Sequence, residues 1–431
     1  MPAGHEDPRH DQPPHGIARR LGPGLIAGAG NEDPGSVGTY AQVGAQFGFA
    51  LAWTLLFTYP LLVAVQEISA RIGRMTGNGI AANLQRFYPG WFTAVLVTLL
   101  VLANVVNLAA DLGVMGEVLR LLLNAPALFW VCLLALAGVL FELLTSYARY
   151  VRTLRWSCVA LVAYVVAAFV VDVPWGQLLH ALVRPQLSET PQYLTAVVAA
   201  LGTTISPYVF FWQAQQEAER ARNAGSVAAL TPAVPQARAE FTRIRFDTAA
   251  GMALSSLVAL FIIITTASTL HVRGIESIQS AAQAAEALRA VAGRLTFLVF
   301  ALGVLGAGLL ALPALAGTAA YAISELLAGR SAGGIAPGSA RIFRTALVAA
   351  AVLGCVLNLA PVNPMRALYW SAVLNALVAI PLMIAIMLLP RRSAEVAARL
   401  ALPLGLRVLG WIAIVAMTLS VAGMFAAWLG A

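Results

Sequence analysis

The sequence predicts an all-α polytopic membrane protein of eleven transmembrane helices, and three observations predict it. First, of 431 residues 60% are apolar and only 11% are charged, with a mean hydropathy of +0.81; an average soluble domain carries roughly 25% charged residues. Second, uncharged windows such as Phe87–Ala110, Leu295–Ser324 and Val408–Ala431 exceed the roughly 20 residues a helix needs to cross a bilayer. Backbone groups in hydrocarbon must bond internally, so these runs are helices. Third, all 27 basic residues are Arg, and they fall between the windows rather than in a patch. Such a chain is not a soluble enzyme, a disordered scaffold or a nucleic-acid binder. Cys132, Cys158 and Cys355 sit in apolar runs and form no disulfide framework or metal cluster.

The spans fall near 21–41, 46–70, 91–117, 126–145, 154–172, 192–215, 248–270, 295–324, 343–361, 366–389 and 405–428. Residues 1–20 are polar and rich in Pro and His. They read as a disordered cytoplasmic tail lacking the apolar core of a signal peptide. With the N-terminus inside, 21 Arg fall on the cytoplasmic side and 6 outside, a positive-inside distribution. Eleven crossings put the C-terminus outside, and a prokaryotic-type plasma membrane is the expected location. The Ala/Pro/Arg-rich residues 223–246 read as an inner loop. Ile275, Ile278, Ala282, Ala285 and Leu288 recur at helical spacing, so 275–291 reads as a short outer amphipathic helix ended by Gly293.

Two spans are expected to break. The first contains Asn31-Glu32-Asp33-Pro34-Gly35-Ser36. A carboxylate at mid-membrane costs about 2.5–3.5 kcal/mol on the insertion scale, Pro34 removes a backbone donor and disfavours helix at Asp33, and Gly35 adds freedom. The sixth span repeats the pattern at a matching depth with Ser206-Pro207-Tyr208. Discontinuous helices at corresponding positions of two halves point to a transporter binding site at the midplane. The halves are residues 21–172 and 192–389, related as inverted repeats, with 405–428 as an added helix.

At these residues the chain resembles the NRAMP family of divalent-metal transporters, whose first helix has an Asp-Pro-Gly-Asn turn and whose sixth has Met-Pro-His. Here the turns are Asp33-Pro34-Gly35-Ser36 and Ser206-Pro207-Tyr208; Gly22-Pro23, Ser69-Ala70-Arg71-Ile72-Gly73 and Thr76-Gly77 also fit. The resemblance implies a LeuT-like 5+5 inverted repeat with broken helices 1 and 6, no enzymatic activity and no cofactor. By position it assigns the metal to Asp33, Ser36, Ser206 and the backbone carbonyls of Gly30 and Thr203, with Pro34, Gly35 and Pro207 as helix breaks. Ser206 replaces the family's thioether, leaving an all-oxygen set, which suits Mg²⁺ and Mn²⁺. The smaller side chain leaves room for an ion that keeps part of its water shell. Both changes are similar to the NRAMP-related magnesium transporter branch. Tyr208 stands where the family has His, and Val114 stands three residues after Asp111 where the family has Glu. Proton coupling is therefore expected to be weak or absent, although Glu32, Glu67, Asp111 and Glu117 keep a route open.

Other polar residues carry two readings each. Glu32 either charges an outer vestibule or is a buried acid. Asp111 either braces the inner pathway or pairs with Arg149 or Arg155. Glu67 reads as a helix-end partner of Arg71. Asn375 lies near the ion or makes an interhelical hydrogen bond. Gln213 and Gln216 line an inner exit, whereas Glu217 and Glu219 sit at the cytoplasmic surface. The pairs Gly24/Gly28 and Gly44/Gly48 have small-residue packing spacing. The expected function is alternating-access movement of Mg²⁺, and also Mn²⁺, by a monomer surrounded by membrane lipids, with no nucleic-acid partner. The alternatives are a proton-coupled Mn²⁺/Fe²⁺ symporter and an organic-cation or amino-acid carrier in which Asp33 pairs with an amine.

Overall fold

The computed structural model describes residues 22–144, 171–223, 235–278, 281–327, 339–360, 362–392 and 402–430, with Val165, Phe169 and Leu400 between them. Among these the regular elements are helices. In chain order they are α1 (Pro23–Gly30), α2 (Pro34–Phe47), α3 (Trp53–Thr76), α4 (Ile80–Phe87), α5 (Gly90–Leu123), α6 (Ala127–Leu144) and α7 (Trp175–Val183). Then follow α8 (Pro191–Thr204), α9 (Pro207–Asn223), α10 (Pro235–Thr269), α11 (Ala281–Leu327), α12 (Ser339–Leu357), α13 (Pro364–Arg392) and α14 (Leu404–Gly430).

Nine segments among the described residues are long and apolar enough to cross a membrane, taking Pro191–Asn223 as one. Residues 23–47 form two helices of 8 and 14 residues. The span expected at 154–172 lies mostly outside the described residues, as does the 1–20 tail. Lipid-facing helices show their position by what they leave uncovered. On α6, Leu128, Phe129, Leu133, Leu136 and Leu140 are exposed, and a helix apolar all round suits hydrocarbon.

Two expectations are corrected. The segment read as an inner loop is helical from Pro235, where α10 begins. The outer amphipathic helix does not form as expected: residues 275–278 are non-helical, and α11 starts at Ala281 and runs through Gly293 to Leu327. A glycine without a turn-forming neighbour weakens a helix by only about 1 kcal/mol, and α11 continues for more than thirty residues beyond it.

The local reasons for the two interruptions are visible. Asp33 caps α2: its φ and ψ are −68° and 167°, and its side chain accepts the Ser36 N–H. Pro34 then occupies the first helical position, where its missing N–H costs nothing. α9 likewise starts on Pro207, after Ile205 and Ser206. The four helices flanking these turns sit against unbroken neighbours through bare backbone. A side-chain carbon at Gly28 would strike Gly251 of α10, and one at Gly44 would meet Ile263 and Thr266 of α10. One at Gly202 of α8 would strike Ala372 of α13, and one at Gly73 of α3 would strike Ala214 of α9. Small residues allow this approach. Gly48 has another role, ending α2 with a left-handed φ of 59°.

Candidate functional site

The turn between α1 and α2 faces the turn between α8 and α9, and the contacts between them are hydroxyls, carbonyls, one carboxylate and the Asn31 amide. Asp33 Oδ1 accepts the Ser36 amide at 2.6 Å. Its Oδ2 accepts the Tyr208 hydroxyl at 2.9 Å. The same hydroxyl lies 2.8 Å from the Gly30 carbonyl, so one proton is shared between two acceptors. Ser36 Oγ donates to the Asn31 carbonyl at 2.6 Å and lies 2.7 Å from Thr203 Oγ1. Ser206 Oγ turns back on its own chain, 3.0 Å from the Gly202 carbonyl and 2.9 Å from that of Thr203. All these residues are buried, with Asp33 4% exposed.

The structure thus brings together Asp33, Ser36, Tyr208, Gly30 and Thr203, with Ser206 one hydrogen bond away. Helix geometry explains the convergence. α1 and α8 point their C-terminal carbonyls at the cluster, and the last carbonyls of a helix lack intrahelical partners. The N-terminal end of α2 presents amides, which favour the Asp33 carboxylate.

Asp111 of α5 also reaches this turn. Its Oδ1 accepts the Gly35 N–H at 2.8 Å, and its Oδ2 is buried with no hydrogen-bond partner. A side-chain carbon at Gly35 would lie 3.1 Å from Asp33 Oδ1 and 3.4 Å from Asp111 Oδ1. Glycine is therefore what lets two carboxylates close on successive amides, Asp111 on that of Gly35 and Asp33 on that of Ser36. Arg149 and Arg155, its expected partners, lie outside the described residues.

The remaining sequence candidates sit elsewhere. Asn375 accepts from Asn107 at 3.0 Å, a hydrogen bond between α13 and α5. Gln213 donates to Thr248 at 2.7 Å. Glu67 pairs with Arg71 at 2.5 Å. Glu32 is fully buried rather than lining a vestibule, and it accepts the Ser255 hydroxyl at 2.6 Å. Glu217 is not at a surface. It is fully buried and pairs with Arg243 at 2.5 Å.

Around that pair lies an ionic cluster. Arg243 also reaches Glu240 at 3.0 Å and Asp247 at 3.8 Å, and Arg74 reaches Glu240 at 3.2 Å. Asp247 accepts the backbone N–H groups of Gly22 and Gly24 at 2.8 Å and of Leu25 at 3.0 Å. A carboxylate on α10 therefore caps the start of α1, where a helix leaves donors unsatisfied.

Sequence reasoning missed Tyr208 as a direct partner of Asp33, along with Ser255 and Tyr40. The signal for Tyr208 was available, since it follows the helix-starting Pro207. Tyr40 lies on α2 itself but meets Thr204 Oγ1, 2.7 Å away, across 164 residues of chain, and Ser255 comes from a distant segment that no local pattern ties to the turn.

The profile of the family described as "Natural resistance-associated macrophage protein-like" matches residues 24–427. Proteins named divalent metal cation transporter MntH from Erwinia tasmaniensis and Pectobacterium carotovorum are 28% and 27% identical to the chain. Each alignment covers 59% of this chain, which thus spans about 59% of the length of these relatives. A crystal structure of the Eremococcus coleocola manganese transporter superposes with a TM-score of 0.76 at 16% identity, covering 97% of this chain and 90% of that one. Mhp1, a nucleobase-cation-symport-1 family transporter, superposes with a TM-score of 0.55 at 16% identity, covering 94% and 92%. The fold is thus shared with that wider group of helical transporters, while the profile match over nearly the whole chain decides the family: this is an integral membrane protein of the Nramp family.

Proposed function

We propose that the chain moves divalent cations, Mg²⁺ and also Mn²⁺, across the membrane by alternating access, with Asp33 as the charged ligand. The observation that carries this reading is the convergence of Asp33, Ser36, Tyr208 and the Gly30 carbonyl between two helix ends, all through oxygen. Carboxylate, carbonyl and hydroxyl oxygens suit hard cations. The names of the relatives, divalent metal cation transporter and manganese transporter, point the same way. In this reading α1 with α2, and α8 with α9, are the broken first and sixth of eleven spans. Residues 21–172 and 192–389 are inverted repeats, and the N-terminus is cytoplasmic with the C-terminus outside.

The ion competes with the hydrogen bonds that hold Asp33, Tyr208 and Ser206. Tyr208 turns its proton away from Asp33 and Gly30 and offers a lone pair, and Ser206 does the same for the Thr203 carbonyl. Hydroxyls can do this because each carries one donor and acceptor capacity together. Tyr208 also takes the place from which a histidine would exchange protons, so proton coupling is weak. The membrane potential supplies about 4.6 kcal/mol per divalent ion at 100 mV, from about 2.3 per charge.

On the side this reading places outside lies a cavity of about 540 Å³ lined by Gln42, Gln46, Gln192, Thr195 and Arg366, where an entering ion would first be met. Gln42 lies about 13 Å from Asp33 along α2, at 1.5 Å per residue.

The test is reconstitution in liposomes with an imposed inside-negative potential. Mn²⁺ and Mg²⁺ uptake without matching acidification is expected; failure of both ions to accumulate overturns the reading, and stoichiometric acidification overturns weak coupling. Ser206→Met tests selectivity. It places a soft sulfur beside the Thr203 carbonyl and is expected to shift preference from Mg²⁺ toward Mn²⁺ and Cd²⁺ by about tenfold, the effect of about 1.4 kcal/mol. Unchanged relative uptake of Mg²⁺, Mn²⁺ and Cd²⁺ would show that ligand softness does not set selectivity.

A further inference from the structure

A second group of polar side chains lies on the α10 side of the same turn, and it makes none of the hydrogen bonds to the Asp33 side chain. Glu32 Oε1 accepts the Ser255 hydroxyl at 2.6 Å. Asn31 Nδ2 lies 3.0 Å from Ser255 Oγ and 3.4 Å from the Thr204 carbonyl. Glu32 and Asn31 are both fully buried. Glu32 Oε2 and Asn31 Oδ1 have no hydrogen-bond partner. None of the hydrogen bonds or ion pairs at Glu32 or Asn31 among the described residues involves a cationic side chain. Two buried acceptors with no donor facing them mark a place that a bound cation would satisfy.

We propose that Asn31, Glu32, Thr204 and Ser255 form a second cation site, for a hard monovalent cation of the sodium class. Turning the Asn31 amide over, an assignment that ordinary structures leave to the hydrogen-bond network, puts its Oδ1 beside Ser255 Oγ and the Thr204 carbonyl. The set then holds one carboxylate, one amide oxygen, one hydroxyl and one backbone carbonyl. The polar atoms are already gathered at separations of 2.6, 3.0 and 3.4 Å. Neighbouring oxygens in an octahedral shell with metal–oxygen distances of about 2.3–2.6 Å lie about 3.3–3.7 Å apart, so a small outward shift admits the ion. A single carboxylate neutralises a single charge, which selects a monovalent ion here. At the Asp33 turn a second carboxylate, that of Asp111, stands behind Gly35 and adds the further negative charge that a divalent ion needs.

The two sites draw on three consecutive residues, Asn31 and Glu32 for one and Asp33 for the other. Glu32 reaches α10 through Ser255, and Asp33 reaches α9 through Tyr208. An ion at Glu32 therefore holds the turn that presents Asp33. The coupling to metal movement rests on the reading of Asp33 given above, whereas binding at Glu32 does not.

The experiment separates the two. Purified protein in detergent at fixed pH is titrated with ²²Na⁺. Binding displaced by unlabelled Na⁺ but not by choline is expected, weakened at least tenfold by Glu32→Gln and by Ser255→Ala, and retained in Asp33→Asn. Absence of displaceable Na⁺ binding in the wild type overturns the proposal. So does binding that survives in Ser255→Ala and Glu32→Gln unchanged, or binding lost only in Asp33→Asn. Ser255→Ala removes one hydroxyl and keeps the claim testable if Glu32→Gln fails to fold. In liposomes, Mn²⁺ uptake is expected to rise with an inward Na⁺ gradient in the wild type and not in Glu32→Gln. Uptake that follows a proton gradient and ignores Na⁺ overturns the proposal.

Discussion

Asp33→Ala is expected to lower Mn²⁺ and Mg²⁺ uptake by more than about 100-fold, since even an outer partner of a metal ligand is worth about 10–100-fold in affinity. The side chain has two jobs that the substitution removes together. It caps α2 through Ser36 and supplies the negative charge facing Tyr208. Asp33→Asn separates them, keeping an oxygen for the Ser36 amide while removing the charge. Loss of a cap alone costs about 1 kcal/mol, too little to silence a packed helix whose first eleven positions are nearly all buried. If Asn sustains near-wild-type flux in liposomes, the carboxylate does not bind the ion and the reading of the site fails. If both variants fold and both lose flux, charge is the determinant.

The second large effect is expected at Asp247. Three backbone amides at the start of α1 point at its carboxylate, and Arg243 stands 3.8 Å away. Asp247→Ala leaves those donors unsatisfied and costs about 1–3 kcal/mol. Because every 1.4 kcal/mol is tenfold, amide hydrogen exchange over residues 22–30 is expected to speed up by about 10- to 100-fold. Exchange in α5, far from the contact, stays as it was. Unchanged protection at residues 22–30 would show that packing against Gly251, not the cap, holds α1 in place. In the proposed cycle the same substitution favours conformations open to the Arg-rich side.

Much of this architecture is legible in the residues, and the parts that are not share a cause. Apolar runs locate helices because the bilayer leaves the backbone no other choice. Pro34 beside Asp33, and Pro207 beside Ser206, mark the two turns because each Pro starts a helix that the preceding residue cannot continue. What composition hides is a helix that begins in polar sequence. Residues 235–246 carry Arg238, Arg243 and Arg245 and look like a loop; Arg238 and Arg245 are exposed, yet Arg243 is spent on Glu217, Glu240 and Asp247. Ion pairs over 26 residues, and hydrogen bonds over 175 or 223, leave no local period to read. For the same reason Glu217 looks like a surface residue, and Tyr208 looks like a lost histidine rather than a contact of Asp33.

The bare-backbone contacts have a mechanical consequence. α1 and α2 meet at a flexible joint, but both are seated on the single unbroken rod of α10, through Gly28 and Gly44. The joint therefore cannot bend freely: either α10 travels with one arm, or one seat slips. The seat at Gly28 is backbone against backbone, with Gly251 of α10 opposite, so the smooth surface there acts as a sliding bearing. The three amides held by Asp247 are its latch.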